Sequence, residues 1–192
     1  MGTPDFAAKS LERLYSDGHD IAGVFTQADK PRSRGMKLSN SPVKELALSH
    51  NTPVYQPAGL KDGEAVNIIK ELNCDLITVV AFGKMLPKEI LDIPPLGCIN
   101  IHGSILPKYR GASPIQHAIL SGEKETGVTS MYISQEMDAG DILLTKKTSI
   151  DDSETKEPKF ILVRASFICL SLWKSSTVII MQLSTASPGR FL

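Results

Sequence analysis

The chain of 192 residues has little cysteine and no excess of either charge. Its three cysteines, Cys74, Cys98 and Cys169, form no CxxC pair, so neither a zinc site nor a disulfide framework is expected. Because 21 basic residues balance 21 acidic ones, overall charge does not draw the whole molecule to nucleic acid. No uncharged apolar run suits a membrane span and no secretory signal opens the chain, which predicts a cytoplasmic protein with no membrane partner.

The chain does contain a regular alternation of helix and strand signals. Strands are predicted at 21–27, 54–56, 76–82, 97–102, 126–133 and 141–148, and 76–82 is a nearly unbroken apolar run rich in β-branched residues. Helices are predicted after Pro4, after Ser41-Pro42, over 64–72 and after Ser113, where Ser113-Pro114-Ile115-Gln116 has the form of a capping box. This order predicts an α/β fold with a doubly wound, mostly parallel sheet, in which ligands bind beyond the carboxyl ends of the strands.

One block places several reactive groups at such a strand end. Asn100-Ile101-His102-Gly103-Ser104 ends a predicted strand, and Asp138-Ala139-Gly140-Asp141 follows later in the chain. Residues two apart on a strand point to the same face, so Asn100 and His102 can reach one substrate atom. Without the surrounding motif, such a pair is more often a hydrogen-bonded strand end than a catalytic couple.

The full block, Asn-x-His-Gly-Ser-x-Leu-Pro-x-x-Arg-Gly over 100–111 followed by Asp-x-Gly-Asp, resembles formyltransferases that use 10-formyltetrahydrofolate. Segments 2–6, 26–31, 41–44 and 111–116 resemble the methionyl-tRNA formyltransferase family in particular. The resemblance runs from residue 2 to about residue 152. It implies a Rossmann-like fold and a one-carbon transferase of translation initiation, with 10-formyltetrahydrofolate as co-substrate, charged initiator tRNA as partner and no metal.

The same resemblance implies roles for individual residues. Asn100 would donate an amide N–H to the oxyanion, His102 would stabilise that charge and take part in proton transfer, and Asp138 would orient His102. The expected walls of the folate pocket are Phe82, Met85, Leu86, Ser104, Ile105, Leu106 and Pro107.

The formyl acceptor depends on a basic insertion in the first half of the chain. Residues 29–45 form a basic insertion that resembles the loop with which the family contacts tRNA, through Arg32, Arg34 and Lys37. A solvated charged loop is the plainer interpretation, and 29–40 is expected to be exposed and without regular structure. Two alternatives to formylation of methionyl-tRNA remain: a folate-dependent formyltransferase that acts on a small amine, such as a nucleotide sugar or glycinamide ribonucleotide, or an inactive truncated product.

Both ends of the chain depart from the family pattern. The first strand of the sheet is expected to be missing, because Met1 stands where that strand would end. Residues 1–152 would then be an incomplete catalytic domain, 153–192 an aberrant or poorly ordered tail, and the family's C-terminal β-barrel domain would be absent. The apolar segment 160–170 is a candidate to fill the vacant strand position. A monomer is expected.

Overall fold

A computed structural model describes residues 4–31, 38–61, 63–81, 85–150 and 177–182 of the chain. The helices of this part are α1 (Pro4–Ser16), α2 (Pro42–Ser49), α3 (Glu64–Leu72), α4 (Lys88–Leu91) and α5 (Pro114–Leu120). The strands are β1 (Asp20–Thr26), β2 (Lys30–Pro31), β3 (Leu38–Ser39), β4 (Val54–Tyr55), β5 (Leu76–Val80), β6 (Cys98–His102), β7 (Glu125–Tyr132), β8 (Ile142–Ser149) and β9 (Thr177–Gln182). None of the helices described is long and apolar enough to cross a membrane.

Seven of these strands form one sheet in the order β4-β1-β9-β5-β6-β7-β8. The first five of that order are parallel to their neighbours, whereas β7 pairs antiparallel with both β6 and β8. The predicted doubly wound, mostly parallel sheet is therefore confirmed. Because β5 and β6 are parallel neighbours, the loops that follow them leave the same edge of the sheet.

The interior strand β9 is the main difference from the sequence-based expectation. It lies between β1 and β5, and Val178, Ile179, Ile180 and Met181 are each 0% exposed. Its first residue is held in register by Asp75, whose carboxylate accepts the Thr177 backbone N–H at 2.9 Å.

The position expected to be vacant, with the first strand missing, is thus occupied by residues 177–182, which belong to the predicted tail 153–192. The prediction that 160–170 would fill this position is wrong, because 177–182 pairs with both neighbouring strands there. Residues 160–170 themselves lie outside the described part of the chain.

Helices cover both faces of the sheet, and alternate residues of the central strands point to each. In β5, Leu76 and Val80 join the core beneath α1, α2 and α5, while Ile77 and Val79 join the core beneath α3 and α4. The strand β9 divides in the same way, with Ile180 on the first face and Ile179 on the second. Strands buried on both faces explain the nearly unbroken apolar runs in the sequence.

Two local predictions differ from the structure. Ser113 precedes α5 with a φ of 57° and makes no side-chain cap hydrogen bond, so the predicted capping box is wrong. In this left-handed conformation the hydroxyl does not reach the amides of the first turn, unlike Ser41, which accepts from the Lys44 amide at 3.2 Å. Residues 29–40 were expected to lack regular structure, yet β2 and β3 form a short antiparallel pair there.

Candidate active site

Asn100 and His102 lie at the carboxyl end of β6, at the edge of the sheet where ligands bind in folds of this type. Their spacing puts both side chains on one face of the strand. The antiparallel pairing with β7 sets His102 opposite Thr129. His102 is 6% exposed, so its imidazole interacts with protein groups more than with solvent.

Asp138 reaches this face from the loop between β7 and β8. It has a φ of 48°, in the left-handed region, and the loop then passes tightly over the end of β7. A Cβ at Gly140 would lie 1.9 Å from the carbonyl oxygen of Tyr132, so only glycine fits there. The backbone N–H of Tyr132 donates to the carbonyl of Asp141 at 2.9 Å, which closes the loop. Gly140 is therefore what allows Asp138 to approach β6.

The Asp138 carboxylate joins the separate parts of the site. Its Oδ1 accepts from the Asn100 amide Nδ2 at 3.3 Å, and its Oδ2 accepts from the Gly111 backbone N–H at 2.7 Å. The same Oδ2 lies 3.5 Å from Nδ1 of His102, and the other ring nitrogen, Nε2, lies 3.0 Å from the carbonyl oxygen of Tyr109. The structure thus brings together the three residues predicted to be catalytic. Across the part of the chain described, no group of His, Cys, Asp and Glu is arranged to hold a metal ion.

The turn after β6 is held mainly by its own polar groups. Ser104 is fully buried, and its hydroxyl donates to the carbonyl of Lys108 at 2.6 Å. Thr129 of β7 donates its hydroxyl to the Ser104 carbonyl at 2.7 Å and accepts the Leu106 N–H at 3.3 Å. Leu106 is 8% exposed, whereas Pro107 is exposed. The Ser104 hydroxyl therefore shapes the turn that follows β6.

The other predicted folate residues follow β5, the neighbour of β6. Leu86 is 7% exposed and packs in the core beneath α3 and α4, whereas Met85 is 44% exposed. Phe82 lies outside the described part of the chain, as do the three predicted tRNA contacts Arg32, Arg34 and Lys37.

The start of the basic insertion 29–45 is held by a cluster of polar side chains at the carboxyl end of β1. Lys44 of α2 contacts the Asp29 carboxylate at 2.5 Å and donates to the Gln56 side-chain oxygen at 3.0 Å. Gln56 donates in turn to Asp29 at 3.0 Å and to the Gln27 carbonyl at 2.7 Å. Hydrogen bonds from Lys44 and Gln56 hold the pKa of Asp29 below its ordinary value. This cluster ties α2 and the chain after β4 to the residue that precedes β2.

Sequence reasoning missed two groups that shape the site. The sequence could have indicated Thr129, because it is a polar residue in the middle of a predicted strand whose neighbouring residues are buried. The sequence could not have indicated the Tyr109 carbonyl, since the direction of a backbone oxygen depends on the fold of the turn.

A doubly wound sheet with an amide, an imidazole and a carboxylate at its carboxyl edge defines an α/β protein suited to acyl transfer. Comparison with known families makes this assignment specific. The chain belongs to the formyl transferase family, whose profile matches residues 1–159.

Curated relatives share about half of their length with this chain. A methionyl-tRNA formyltransferase of Clostridioides difficile is 54% identical over 155 residues, covering 81% of this chain and 50% of its own length. One from Caldanaerobacter subterraneus is 50% identical over 178 residues, covering 91% of this chain and 58% of its own.

Solved structures show the same fold. The phosphoribosylglycinamide formyltransferase of Anaplasma phagocytophilum aligns with a TM-score of 0.72 at 21% identity, covering 88% of this chain and 79% of its own. The enzyme of the same name from Bacillus halodurans aligns with a TM-score of 0.68 at 22% identity, covering 87% of this chain and 90% of its own.

Proposed function

We propose that the chain carries the catalytic domain of a methionyl-tRNA formyltransferase, which moves a formyl group from 10-formyltetrahydrofolate to the amino group of charged initiator tRNA. The observation that carries the proposal is the meeting of Asn100, His102 and Asp138 through hydrogen bonds and close contacts at the ligand-binding edge of the sheet. On this proposal residues 1–152 form the incomplete catalytic domain, whose sheet receives β9 as an interior strand, and the domain acts in the cytoplasm as a monomer.

The chemistry needs two kinds of help. A neutral amine attacks the formyl carbon, the carbonyl oxygen becomes an oxyanion, and the bond from carbon to the folate nitrogen then breaks. The attacking nitrogen loses a proton and the departing nitrogen gains one, so the reaction balances without a covalent enzyme intermediate. Fixed donors are needed for the oxyanion, and a proton carrier is needed between the two nitrogens.

Asn100 supplies the donor. A side-chain amide has two N–H groups, and the contact with Asp138 uses one of them. The second is available for an oxygen at the mouth of the cleft. Because the Asp138 carboxylate only accepts, it also sets which end of the Asn100 amide faces it.

His102 carries the proton, and the Asp138 carboxylate, 3.5 Å from Nδ1 of His102, attracts the imidazolium that forms. The low exposure of both side chains, 6% for His102 and 12% for Asp138, strengthens their electrostatic interaction with a bound substrate. Asp138 also accepts a hydrogen bond from the Gly111 backbone N–H, which fixes the connection between β6 and α5 against the same carboxylate.

The donor would lie between the loops that follow β5 and β6. The predicted wall residues Leu86 and Leu106 are both largely buried, and a pterin ring needs such flat apolar surfaces together with a few backbone hydrogen bonds. The segment Ser104–Pro107 supplies the backbone groups, while Phe82 and Met85 complete the proposed wall.

The acceptor would be recognised by the basic residues between β2 and β3. The cluster of Asp29, Lys44 and Gln56 supports this proposal, because it fixes the base of that segment to α2 and β4 at the same edge of the sheet as the site. Cationic side chains on such a base suit the phosphates of an acceptor stem. A small amine would leave the segment without a use.

The test is a competition between acceptors. Purified chain 1–192 is supplied with 10-formyltetrahydrofolate carrying a labelled formyl group, and with methionyl-tRNA and glycinamide ribonucleotide in equal concentrations. We expect the label on methionyl-tRNA, and we expect it to fall about 100-fold in the variant His102→Ala.

Three outcomes separate the alternatives. Label on glycinamide ribonucleotide would replace methionyl-tRNA by a small amine as the acceptor. Folate binding without transfer to either acceptor would favour an inactive folate-binding domain. If the chain neither binds folate nor transfers the formyl group, the proposed function is contradicted.

A further inference from the structure

The turn that carries Lys108 and Tyr109 is clamped from outside by Glu123, which follows α5. One carboxylate oxygen of Glu123 accepts both the Lys108 ammonium and the Tyr109 hydroxyl, each at 2.9 Å. The Tyr109 ring also stacks on His117 of α5, with ring centroids 6.5 Å apart and planes within 5°. The side chain of Tyr109 is therefore held on two sides by α5 and the residue beyond it.

The backbone of the same tyrosine points inward, to the candidate catalytic histidine. Tyr109 has a φ of 59°, in the left-handed region that non-glycine residues seldom adopt. This conformation directs its carbonyl oxygen to within 3.0 Å of His102 Nε2. A carbonyl only accepts, so the contact requires the hydrogen of His102 to lie on Nε2. The Nδ1–Asp138 distance of 3.5 Å is longer and exceeds an ordinary hydrogen bond.

We propose that Glu123 is a positioning residue that acts through Tyr109 to fix the orientation and the protonated nitrogen of His102. This role rests on the proposed function only in giving His102 a catalytic use. The contacts themselves run from Glu123 to the Tyr109 hydroxyl, and from the Tyr109 carbonyl to His102.

The charge of Glu123 suits this role. Hydrogen bonds from Lys108, and then from Tyr109, hold the pKa of Glu123 below its ordinary value, so the carboxylate is ionised at neutral pH and can accept both bonds. The same contact raises the pKa of Lys108. Both side chains remain partly exposed, at 31% for Glu123 and 65% for Lys108, so the clamp closes the turn at its outer surface.

The test measures which ring nitrogen of His102 carries the hydrogen. Nitrogen-15 NMR of histidine-labelled chain 1–192, about two pH units above the ordinary histidine pKa of about 6.5, distinguishes hydrogen on Nε2 from hydrogen on Nδ1. In the unchanged chain we expect His102 to carry the hydrogen on Nε2. In Glu123→Ala and in Tyr109→Phe the fraction with hydrogen on Nδ1 should rise about fivefold, the scale expected for losing one hydrogen bond.

A matched control separates this effect from a general loss of charge. Glu125 lies two residues from Glu123 and pairs with Lys147 at 3.0 Å on the surface of β7 and β8. Glu125→Ala removes the same charge and should leave the His102 signal unchanged. The signals of His19 and His50 report whether each variant is folded.

The combined variant Glu123→Ala with Tyr109→Phe should shift His102 no further than either single change, because both act on one path. An unchanged tautomer ratio in folded Glu123→Ala and Tyr109→Phe would overturn the proposal. Equal shifts in Glu125→Ala would overturn it as well.

Formyl transfer gives an independent readout. Glu123→Ala should lower kcat about tenfold and leave KM for the folate unchanged, as expected when a reacting group is slightly misplaced. A His102 shift without any transfer by the unchanged chain would count against the proposed function and leave the positioning role standing. A change in KM alone would contradict positioning.

Discussion

The strand β9 and the turns around β6 contribute to one sheet, but different interactions hold them. Four successive residues of β9, Val178 to Met181, are completely buried and apolar, and the strand is bonded along both sides to parallel neighbours. The turns that carry the site are polar and depend on bonds from side chains to backbone, such as Ser104 to Lys108 and Gly111 to Asp138. They also contain residues with positive φ, among them Tyr109 and Asp138.

This difference assigns β9 mainly to the stability of the fold and the turns around β6 mainly to the proposed reaction. Burial of β9 removes apolar surface from water, which is the dominant favourable contribution to folding. The turns around β6 hold polar groups in unusual conformations, an arrangement that stabilises little and that, on the proposed function, positions the reacting groups. Changes in β9 should therefore act on folding, and changes around β6 should act on catalysis.

The largest effect is expected from a charge in the middle of β9. Ile180→Asp would bury an unpaired carboxylate at a fully buried position, and we expect it to lower the free energy of unfolding by about 4 kcal/mol or more. Urea denaturation followed by circular dichroism measures this. Ile142→Asp is the matched control, because Ile142 on β8 is 51% exposed and should change stability little. Equal stability of the two variants would mean that β9 does not support the sheet.

A second effect concerns Cys74 and Cys98, which belong to the same core cluster as Ile179 of β9. Burial raises the pKa of Cys98 to about 12 and that of Cys74 to about 11, so both thiols stay protonated at neutral pH. In a Cys169→Ser background, a thiol reagent at about pH 8 should react with the native chain about a thousandfold more slowly than with the unfolded chain.

The same pKa values give the direction of the pH dependence. An unfolded cysteine titrates near 8.5, so between about pH 9 and the folded values the folded chain binds more protons than the unfolded one. Stability should consequently fall as pH rises through this window. Fast labelling in the native state, or stability that rises there, would contradict burial of these thiols.

The third effect belongs to the site. His102→Ala should lower formyl transfer about 100-fold, the scale of a general acid–base group, while the free energy of unfolding falls by about 1–2 kcal/mol for the lost hydrogen bond, well below the loss in Ile180→Asp. His50→Ala removes an exposed histidine from the end of α2 and serves as the control. A His102 variant that loses stability and activity in parallel would erase the distinction between the two regions.

The smallest effect tests the end of β9. Asp75→Ala removes the carboxylate that accepts the Thr177 N–H, and we expect a loss of about 1 kcal/mol in unfolding free energy. Asp92→Ala is the comparison, since Asp92 forms only an exposed pair with Lys88 and such pairs contribute about 0–0.5 kcal/mol. A loss at Asp75 no greater than at Asp92 would show that backbone pairing alone sets the register.

Much of the fold could be predicted because local patterns determine it. The apolar run from Leu76 indicated a strand buried on both faces, and the spacing of Asn100 and His102 placed their side chains on one face. These inferences need only the period of a strand and the parallel order of βα units. They hold wherever a side chain's direction follows from its position in the element.

The strand β9 could not be predicted in the same way. Its residues Thr177 to Gln182 form a short apolar stretch that resembles several others in the chain. Its neighbours in the sheet are far away in sequence, with Thr177 and Asp20 separated by 157 residues. No local signal selects such a partner. The left-handed conformations of Ser113 and Tyr109 escaped prediction for a related reason, because the surrounding contacts impose them.

The most direct test of the proposed site is a double-mutant cycle between His102 and Asp138 in single-turnover formyl transfer from 10-formyltetrahydrofolate to methionyl-tRNA. If Asp138 acts by holding His102, then Asp138→Asn combined with His102→Ala should cost about as much as His102→Ala alone, near 100-fold. Losses that multiply, or a full rate in His102→Ala, would contradict a single catalytic unit at this edge of the sheet.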